Sequence, residues 1–365
     1  MRYIFTGGGT LGHTNPAIAV GEKVREMDKE ADILFVMRKG GKENESVTKR
    51  GFKLTEIDAA GLGRGDGLKN IKTLSSAAKG FFQCNKILKE FKPDVIFGTG
   101  GYVSFAPLFA GILRKVPTFI HESNSVPGLV TKIMAKMGAA VLINLEATKE
   151  KLPNKTKVFT VGNPLLPEFD TISRSKARAR LNLKNEETYI LSFGGSGGSK
   201  IMNEIIYEVM TDLSSDKKIR HTHVCGERYF EDAKARFPEW VNGSKPQHIY
   251  SRINDMATHL KAADIVICRC GAMTISEIIR MGKAAILIPS PNVTDNHQYE
   301  NGLYLKEKNA AIMIEEKDLI KELLLEKIKM LINSQTERAR LQTNIKKLDV
   351  KDSAEKISIF LINAK

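Results

Sequence analysis

Residues 189–199 read YILSFGGSGGS, and residues 3–12 read YIFTGGGTLG. Each is a hydrophobic run that breaks into glycines, and each is followed by a helical pattern. Strand, glycine turn and helix in that order open a doubly wound α/β domain. The order occurs twice, and a length of 365 residues suits two domains at roughly 150 residues each. In the first half, strands are expected at 2–6, 32–37, 52–57, 94–97, 117–120 and 139–143, with helices at 14–27, 69–91, 103–114 and 128–137. VIFG (95–98) and TFIH (118–121) are apolar on both faces, as buried parallel strands are. In the second half, strands are expected near 219–224, 247–250, 264–267, 284–288 and 310–313. A Pro- and charge-rich passage at 163–187 suits an interdomain connection. The expected α/β architecture is two Rossmann-like domains, each a doubly wound parallel sheet, facing a cleft. Their expected bounds are 1–162 and 163–345, with the helical segment 346–365 returning to the first domain.

The composition is 42% apolar and 27% charged, which excludes a disordered, collagenous or coiled-coil chain. Apolar runs such as AAVLI at 139–143 fall far short of the ~20 residues that cross a bilayer. The opening MRYIFTGGG is not a secretory signal. Cys84, Cys225, Cys268 and Cys270 form neither a CxxC pair nor a disulfide framework, so the chain reads as soluble, intracellular and reduced. Cys268 and Cys270 lack further ligands, and no metal site is expected. Lys and Arg total 56 against 42 acidic residues, a net charge of +14. Such an excess points to an anionic lipid surface or a phosphate-bearing substrate. No nucleic-acid motif is visible, and no nucleic-acid partner is expected.

Residues 7–12 fit G-x-G-x-x-G after a strand. The next strand, however, ends in Arg38 and Lys39, where a dinucleotide site wants an acid for the ribose. NAD is disfavoured and an NADP-dependent oxidoreductase stays open as an alternative. Gly98–Gly101 and Gly194–Gly198 are second and third glycine loops, and the third lacks the Gly-Lys-Ser/Thr of a P-loop. In each loop the missing side chains let backbone amides approach an anion at a helix N-terminus. Three such loops suit diphosphate ligands. Residues 268–277, CRCGAMTISE, place Glu277 one to two turns into a helix, where it could accept hydrogen bonds from a sugar diol. His13, at the start of the first helix, is the candidate general base, since imidazole titrates near ~6.5. His121 ends a strand and reads as structural, orienting Asn124. His221, His223, His248 and His259 default to surface or satisfied interior positions, and His297 borders the sugar-binding segment without ligand geometry.

These residues together resemble the MurG family. Its GGGTGGH is similar to Gly7–His13, its GGYVS to Gly100–Ser104, its HEQN to His121–Asn124 and its GNP to Gly162–Pro164. Its GGSQG is similar to Gly194–Gly198, its RSGALTVSE to Arg269–Glu277 and its QxxNA to Gln298–Gly302. The blocks keep the family order. The resemblance implies a GT-B glycosyltransferase fold and an inverting hexosyltransferase. The reaction implied moves N-acetylglucosamine from UDP-GlcNAc to the 4-OH of the MurNAc of lipid I, giving lipid II for peptidoglycan. It implies that the Ile253 backbone reads the uracil and that Ser196, Ala272, Met273, Thr274, Ile275 and Ser276 meet the donor diphosphate. Glu277 would hold the ribose, and Gln298 and Asn301 the GlcNAc hydroxyls. Asn124, Thr10, Leu11 and Gly12 match donor contacts from the first domain, and Gly8, Gly9, Gly100, Gly101 and Tyr102 would hold the acceptor pyrophosphate. Departures from the family pattern are Leu11, Leu166, Ser123, Gly197, Ser199, Cys270 and Gly302. No Asp-x-Asp occurs, so no cofactor is expected to be required, and amides and helix dipoles would meet the leaving-group charge.

A lipid-linked acceptor requires contact with the bilayer. Residues 68–92 form a basic amphipathic stretch. Ile71, Lys72, Leu74, Lys79, Phe81 and Phe82 are expected to make the membrane patch, with both phenylalanines outward and Ile87, Leu88 and Phe91 packed inward. The resemblance therefore implies a bacterial peripheral membrane protein at the cytoplasmic face of the cell membrane. Its partners would be UDP-GlcNAc, undecaprenyl-linked lipid I and an anionic lipid surface. Alternatives are another GT-B UDP-sugar glycolipid transferase and a non-catalytic nucleotide-sugar module.

Overall fold

The computed structural model describes residues 1–60, 67–241, 243 and 246–364, without the side chains of 67–77. The chain divides into two compact units, Met1–Leu166 with Val350 onward, and Pro167–Asp349. The divisions fall a few residues past the 162 and 345 read from the sequence.

In the first unit the order is β1 (Arg2–Thr6), α1 (Leu11–Met27), β2 (Asp32–Arg38), α2 (Asn44–Lys49), β3 (Lys53–Ile57) and α3 (Gly67–Phe91). It continues with β4 (Val95–Gly98), α4 (Phe105–Leu113), β5 (Thr118–Glu122), α5 (Leu129–Lys136), β6 (Ala140–Ile143) and β7 (Val158–Thr160). The second unit begins α6 (Glu168–Thr171), α7 (Arg174–Arg180), β8 (Thr188–Phe193), α8 (Lys200–Leu213), β9 (Ile219–Val224), α9 (Phe230–Arg236) and α10 (Pro238–Val241). There follow β10 (Gln247–Tyr250), α11 (Met256–Ala262), β11 (Ile265–Cys268), α12 (Ala272–Met281) and β12 (Ala284–Leu287). The unit ends with α13 (His297–Glu307), β13 (Ile312–Met313), α14 (Lys321–Asn333) and α15 (Gln335–Lys346), before α16 (Ser353–Ile362) closes the first unit.

Alternation along the strands makes both sheets two-sided. Tyr3, Phe5, Phe35 and Phe97 face a cluster with Ala17, Val20 and Val24 of α1 and Ile357 and Leu361 of α16. Ile4, Val36, Ile96 and Ile120 face the opposite cluster, with Leu88 of α3, Leu108 of α4 and Met134 of α5. In the second unit Ile190, Ile265, Ile267 and Ile286 pack against Met202, Ile206 and Met210 of α8 and Leu324 and Ile328 of α14.

The strand orders decide where ligands can sit. The first sheet runs β3-β2-β1-β4-β5-β6-β7 and the second β10-β9-β8-β11-β12-β13, with all neighbours parallel. Chain direction across each sheet reverses once, between β1 and β4 and between β8 and β11. Open parallel sheets bind ligands beyond the carboxyl ends of the strands at such a reversal. The three glycine loops follow β1, β4 and β8, and the turn into α12 follows β11. All four therefore lie at a reversal point.

Candidate functional site

In the first unit, α1 starts at Leu11 rather than at 14, so Thr10 is its N-cap and Leu11, Gly12 and His13 form its first turn. Thr10 makes no side-chain cap. His13 Nδ1 lies 2.8 Å from the Thr99 carbonyl oxygen. A carbonyl only accepts, so Nδ1 carries the proton and Nε2 keeps its lone pair. Thr99 Oγ1 donates in return to the His13 carbonyl at 2.6 Å. The ring lies against the second glycine loop. At Gly101, where φ is +74°, an added Cβ would stand 3.1 Å from His13 Cδ2 and 3.4 Å from Nε2. A side chain there would be strained and would crowd the free nitrogen.

The first loop is held from a distance. Glu43, buried ahead of α2, accepts the Gly9 N–H at 2.6 Å, so that amide is already engaged. Tyr102 packs its ring over Gly9, which brings Gly8, Gly9, Gly100, Gly101 and Tyr102 together as one lining. In the next loop Asn124 is oriented by Glu122, not by His121. The Glu122 carboxylate is 5% exposed and accepts from Asn124 N (3.0 Å), Asn124 Nδ2 (3.1 Å), Gly128 N (2.9 Å) and Thr131 Oγ1 (2.7 Å). His121 is fully buried, donates from Nε2 to the Gly162 carbonyl at 2.9 Å, and is pushed down to about 4 by desolvation. It is a neutral structural group.

In the second unit the loop Gly194–Gly198 joins β8 to α8 with Ser199 as N-cap. Gly198 has φ of +69°, and a Cβ there would overlap the Cys225 carbonyl, so only glycine fits the approach to β9. Ser196 is exposed, and the space around Gly195 and Gly197 is open. The turn after β11 presents Gly271 as the N-cap of α12, with no side-chain cap and no acid in the first turn. The first-turn N–H groups around Ala272, Met273 and Thr274 are thus free of side-chain acceptors at the cap. Ile275 is buried, while Ser276 is half-buried. Glu277, on the second turn of α12, is half-buried with no hydrogen-bond or ion-pair partner among the described residues. Burial pushes its carboxyl up to about 8. Such a group is short of donors, and a diol supplies two.

Asn301 Nδ2 donates to the Cys270 carbonyl at 3.1 Å, which ties α13 to the turn before α12. Gln298 Oε1 accepts the Ser290 N–H at 3.0 Å. Ile253 is half-buried between β10 and α11. His297 is engaged with the Thr294 carbonyl at 2.7 Å. His221 and His223 are fully buried on either side of Ser192 Oγ, 2.8 Å from each, and desolvation pushes both down to about 3.

The lipid-facing expectation is corrected in part. Leu88, Ile87 and Phe91 pack inward. Phe81 does so too, with its ring 5.3 Å from that of Phe109 on α4, because α4 lies beside α3 at that turn. Phe82 on α3 is 71% exposed and Leu113 at the end of α4 is 56% exposed, and Arg114 Nε donates to Asn85 Oδ1 at 3.0 Å, which ties the two helices together. Lys79 pairs with Asp58 at 2.8 Å while staying largely exposed. The side chains of Ile71, Lys72 and Leu74 lie outside the described residues. Among the described residues no helix is long and apolar enough to cross a membrane.

Sequence reading missed Thr99, Glu43 and Glu122. Thr99 stands inside the second glycine loop and Glu122 inside His121–Asn124, so both were within quoted motifs. Glu43 lies in no motif.

Comparison with known proteins also divides the chain in two. Residues 3–143 match the glycosyltransferase family 28 N-terminal domain, and residues 189–357 match the glycosyltransferase family 28 C-terminal domain. A protein of Thermoanaerobacter sp. (strain X514) is 37% identical over 98% of both chains. One from Acetivibrio thermocellus is 33% identical over 98% of this chain and 96% of its own. Both are named UDP-N-acetylglucosamine–N-acetylmuramyl-(pentapeptide) pyrophosphoryl-undecaprenol N-acetylglucosamine transferase. In fold, the crystal structure of Acinetobacter baumannii MurG is similar, with a TM-score of 0.74 at 23% identity over 99% of each chain. The UDP complex of S. aureus MnaA reaches 0.72 at 14% identity, covering 100% of this chain and 97% of that one.

Proposed function

The chain belongs to glycosyltransferase family 28, among the UDP-N-acetylglucosamine–N-acetylmuramyl-(pentapeptide) pyrophosphoryl-undecaprenol N-acetylglucosamine transferases, and from that membership we propose how its residues act. It is a GT-B hexosyltransferase that moves N-acetylglucosamine from UDP-GlcNAc to the 4-hydroxyl of the MurNAc of lipid I. The product is lipid II, for peptidoglycan.

Inversion is one in-line displacement. The acceptor oxygen forms the bond to the anomeric carbon, the bond from that carbon to the β-phosphate oxygen breaks, and UDP leaves with the electron pair. The proton of the attacking hydroxyl goes to His13 Nε2. The observation that carries this assignment is the His13 Nδ1 contact to the Thr99 carbonyl. It holds the ring in the tautomer that a base needs and supports the imidazolium that forms. Negative charge on the departing UDP is met by the amides of Gly194–Gly198 and of the first turn of α12. Glu277 accepts the ribose hydroxyls, the Ile253 backbone reads the uracil, and Gln298 with Asn301 contacts the sugar. Asn124, fixed by Glu122, and the turn Thr10–Gly12 complete the donor contacts. Gly8, Gly100, Gly101 and Tyr102 line the place of the acceptor pyrophosphate, with Gly9 held by Glu43. No metal is assigned a step.

Phe82 and Leu113 support attachment to an anionic membrane at its cytoplasmic face, the side on which UDP-GlcNAc is available. Burying each in lipid contributes about 1.5–3 kcal/mol, and nearby basic residues add about 1 kcal/mol each.

The test is incubation with labelled UDP-GlcNAc and a lipid I analogue. A β-linked disaccharide product supports the reading, and its absence overturns it. His13→Ala should lower transfer by about 10²–10⁴-fold while UDP affinity is unchanged. An unaltered rate would remove His13 as the base.

A further inference from the structure

Ser199 closes the third glycine loop, and its Oγ is the meeting point of two donors. It accepts the Met202 N–H at 3.4 Å as the cap of α8, and it accepts from Arg269 Nη2 at 2.5 Å. A serine oxygen has two lone pairs and one hydrogen. Both lone pairs are committed to groups that can only donate. The hydroxyl hydrogen has no acceptor among the described residues.

Arg269 cannot turn away to release that oxygen. It is 7% exposed, and its Nη1 donates to the carbonyls of Ile288 and Pro289 at 3.3 and 3.2 Å. Its Nη2 also meets the carboxylate of Glu316, in the turn after β13, as a nearly buried ion pair. The guanidinium is therefore anchored to the end of β12 and neutralised by Glu316. What it passes to the glycine loop is direction and polarisation, not net charge. A hydroxyl that accepts from a guanidinium becomes a stronger donor itself. The loop folds back on this residue: an added Cβ at Gly194 would stand 2.8 Å from the Ser199 amide nitrogen.

We propose that the Ser199 hydroxyl donates to the diphosphate of the sugar nucleotide, with Arg269 and Glu316 as the positioning pair that aims it. The proposal rests on the reading above that this loop holds the donor diphosphate. It adds a side-chain donor at a position where the family motif carries another residue. A diphosphate oxygen is the natural acceptor, since the neighbouring amides already favour an anion there.

The experiment is calorimetric titration of UDP and of uridine into the wild-type protein, Ser199→Ala, Ser199→Thr and Glu316→Gln. Ser199→Ala should weaken UDP about tenfold and leave uridine unchanged. Ser199→Thr keeps both hydroxyl and cap and should bind UDP like the wild type. Glu316→Gln leaves the Arg269 charge unneutralised behind the hydroxyl and should tighten UDP about threefold, again sparing uridine. Unchanged UDP affinity in Ser199→Ala overturns the proposal. So does an equal loss for uridine, which would mark the serine as only a helix cap. A wild-type protein that binds uridine and UDP equally well removes the diphosphate reading of the loop itself, and the proposal falls with it.

Discussion

Glu277 is a half-buried carboxyl with no donor among the described residues, and desolvation pushes it up to about 8. Diol hydroxyls favour the ionised form, so the proposed ribose contact would lower that pKa and release a proton. Uridine affinity should therefore climb as pH rises toward 8 and level off above it, by up to about tenfold per pH unit. Titration in two buffers of different ionisation heat reads the released proton, and Glu277→Gln should give a flat profile. A second residue-scale case joins two departures from the family motifs. Where those motifs carry serine and alanine, this chain has Cys270 and Gly302, and an added Cβ at Gly302 would stand 2.9 Å from Cys270 Sγ. The larger thiol and the smaller glycine compensate each other. Gly302→Ala alone should cost about 1–3 kcal/mol of stability by overpacking, and Cys270→Ser in the same chain should recover most of it, both read from melting curves. Motif reading singled out the glycine-loop amides and Glu277 because phosphate and diol binding would need glycine and a helix-borne acid at set spacing. It missed Thr99 and Glu43, whose partners His13 and Gly9 lie 86 and 34 residues away. Only the fold makes them neighbours.

Among the elements, central strands such as β4 and β11 were legible because they are apolar on both faces, while β1, β9 and the edge strand β10 match the expected bounds residue for residue. Two short elements had no such pattern. In α2 only Asn44 and Val47 are buried, and β7 is an edge strand whose Phe159 and Thr160 are exposed. The start of α1 was missed because its first turn contains Gly12, a poor helix former, and carries no apolar stripe. The most informative element is α16. Ile357 and Leu361 are fully buried against α1 and β1, so the first core is incomplete without them. Leu361→Ala should cost about 2–5 kcal/mol in urea unfolding followed by a probe in the first unit. Uridine affinity, which the proposed function assigns to the second unit, should not move. A loss of uridine binding at the same denaturant concentration would contradict the division into two units.

For the whole molecule, the proposed lipid contact would join a net charge of +14 to the exposed side chains Phe82 and Leu113 of α3 and α4. Flotation with vesicles containing anionic lipid should fall as salt rises from about 0.1 to 1 M, where the screening length drops from ~10 to ~3 Å. Phe82→Glu with Leu113→Glu should abolish flotation at all salt concentrations while leaving UDP affinity intact. Flotation that persists in the double variant would point to a different contact surface. The connection order of the two units has an effect on biosynthesis. Residues 167–349 are continuous, whereas the unit around β1 needs a piece made after them. A ribosome delivers the chain from its beginning, so the continuous second unit can reach its native state first. The earlier-made half must wait with one face of its sheet uncovered until Ile357 and Leu361 emerge. During that interval its aromatic layer is open to chaperones, and nascent chains halted before position 353 should be the ones they retain.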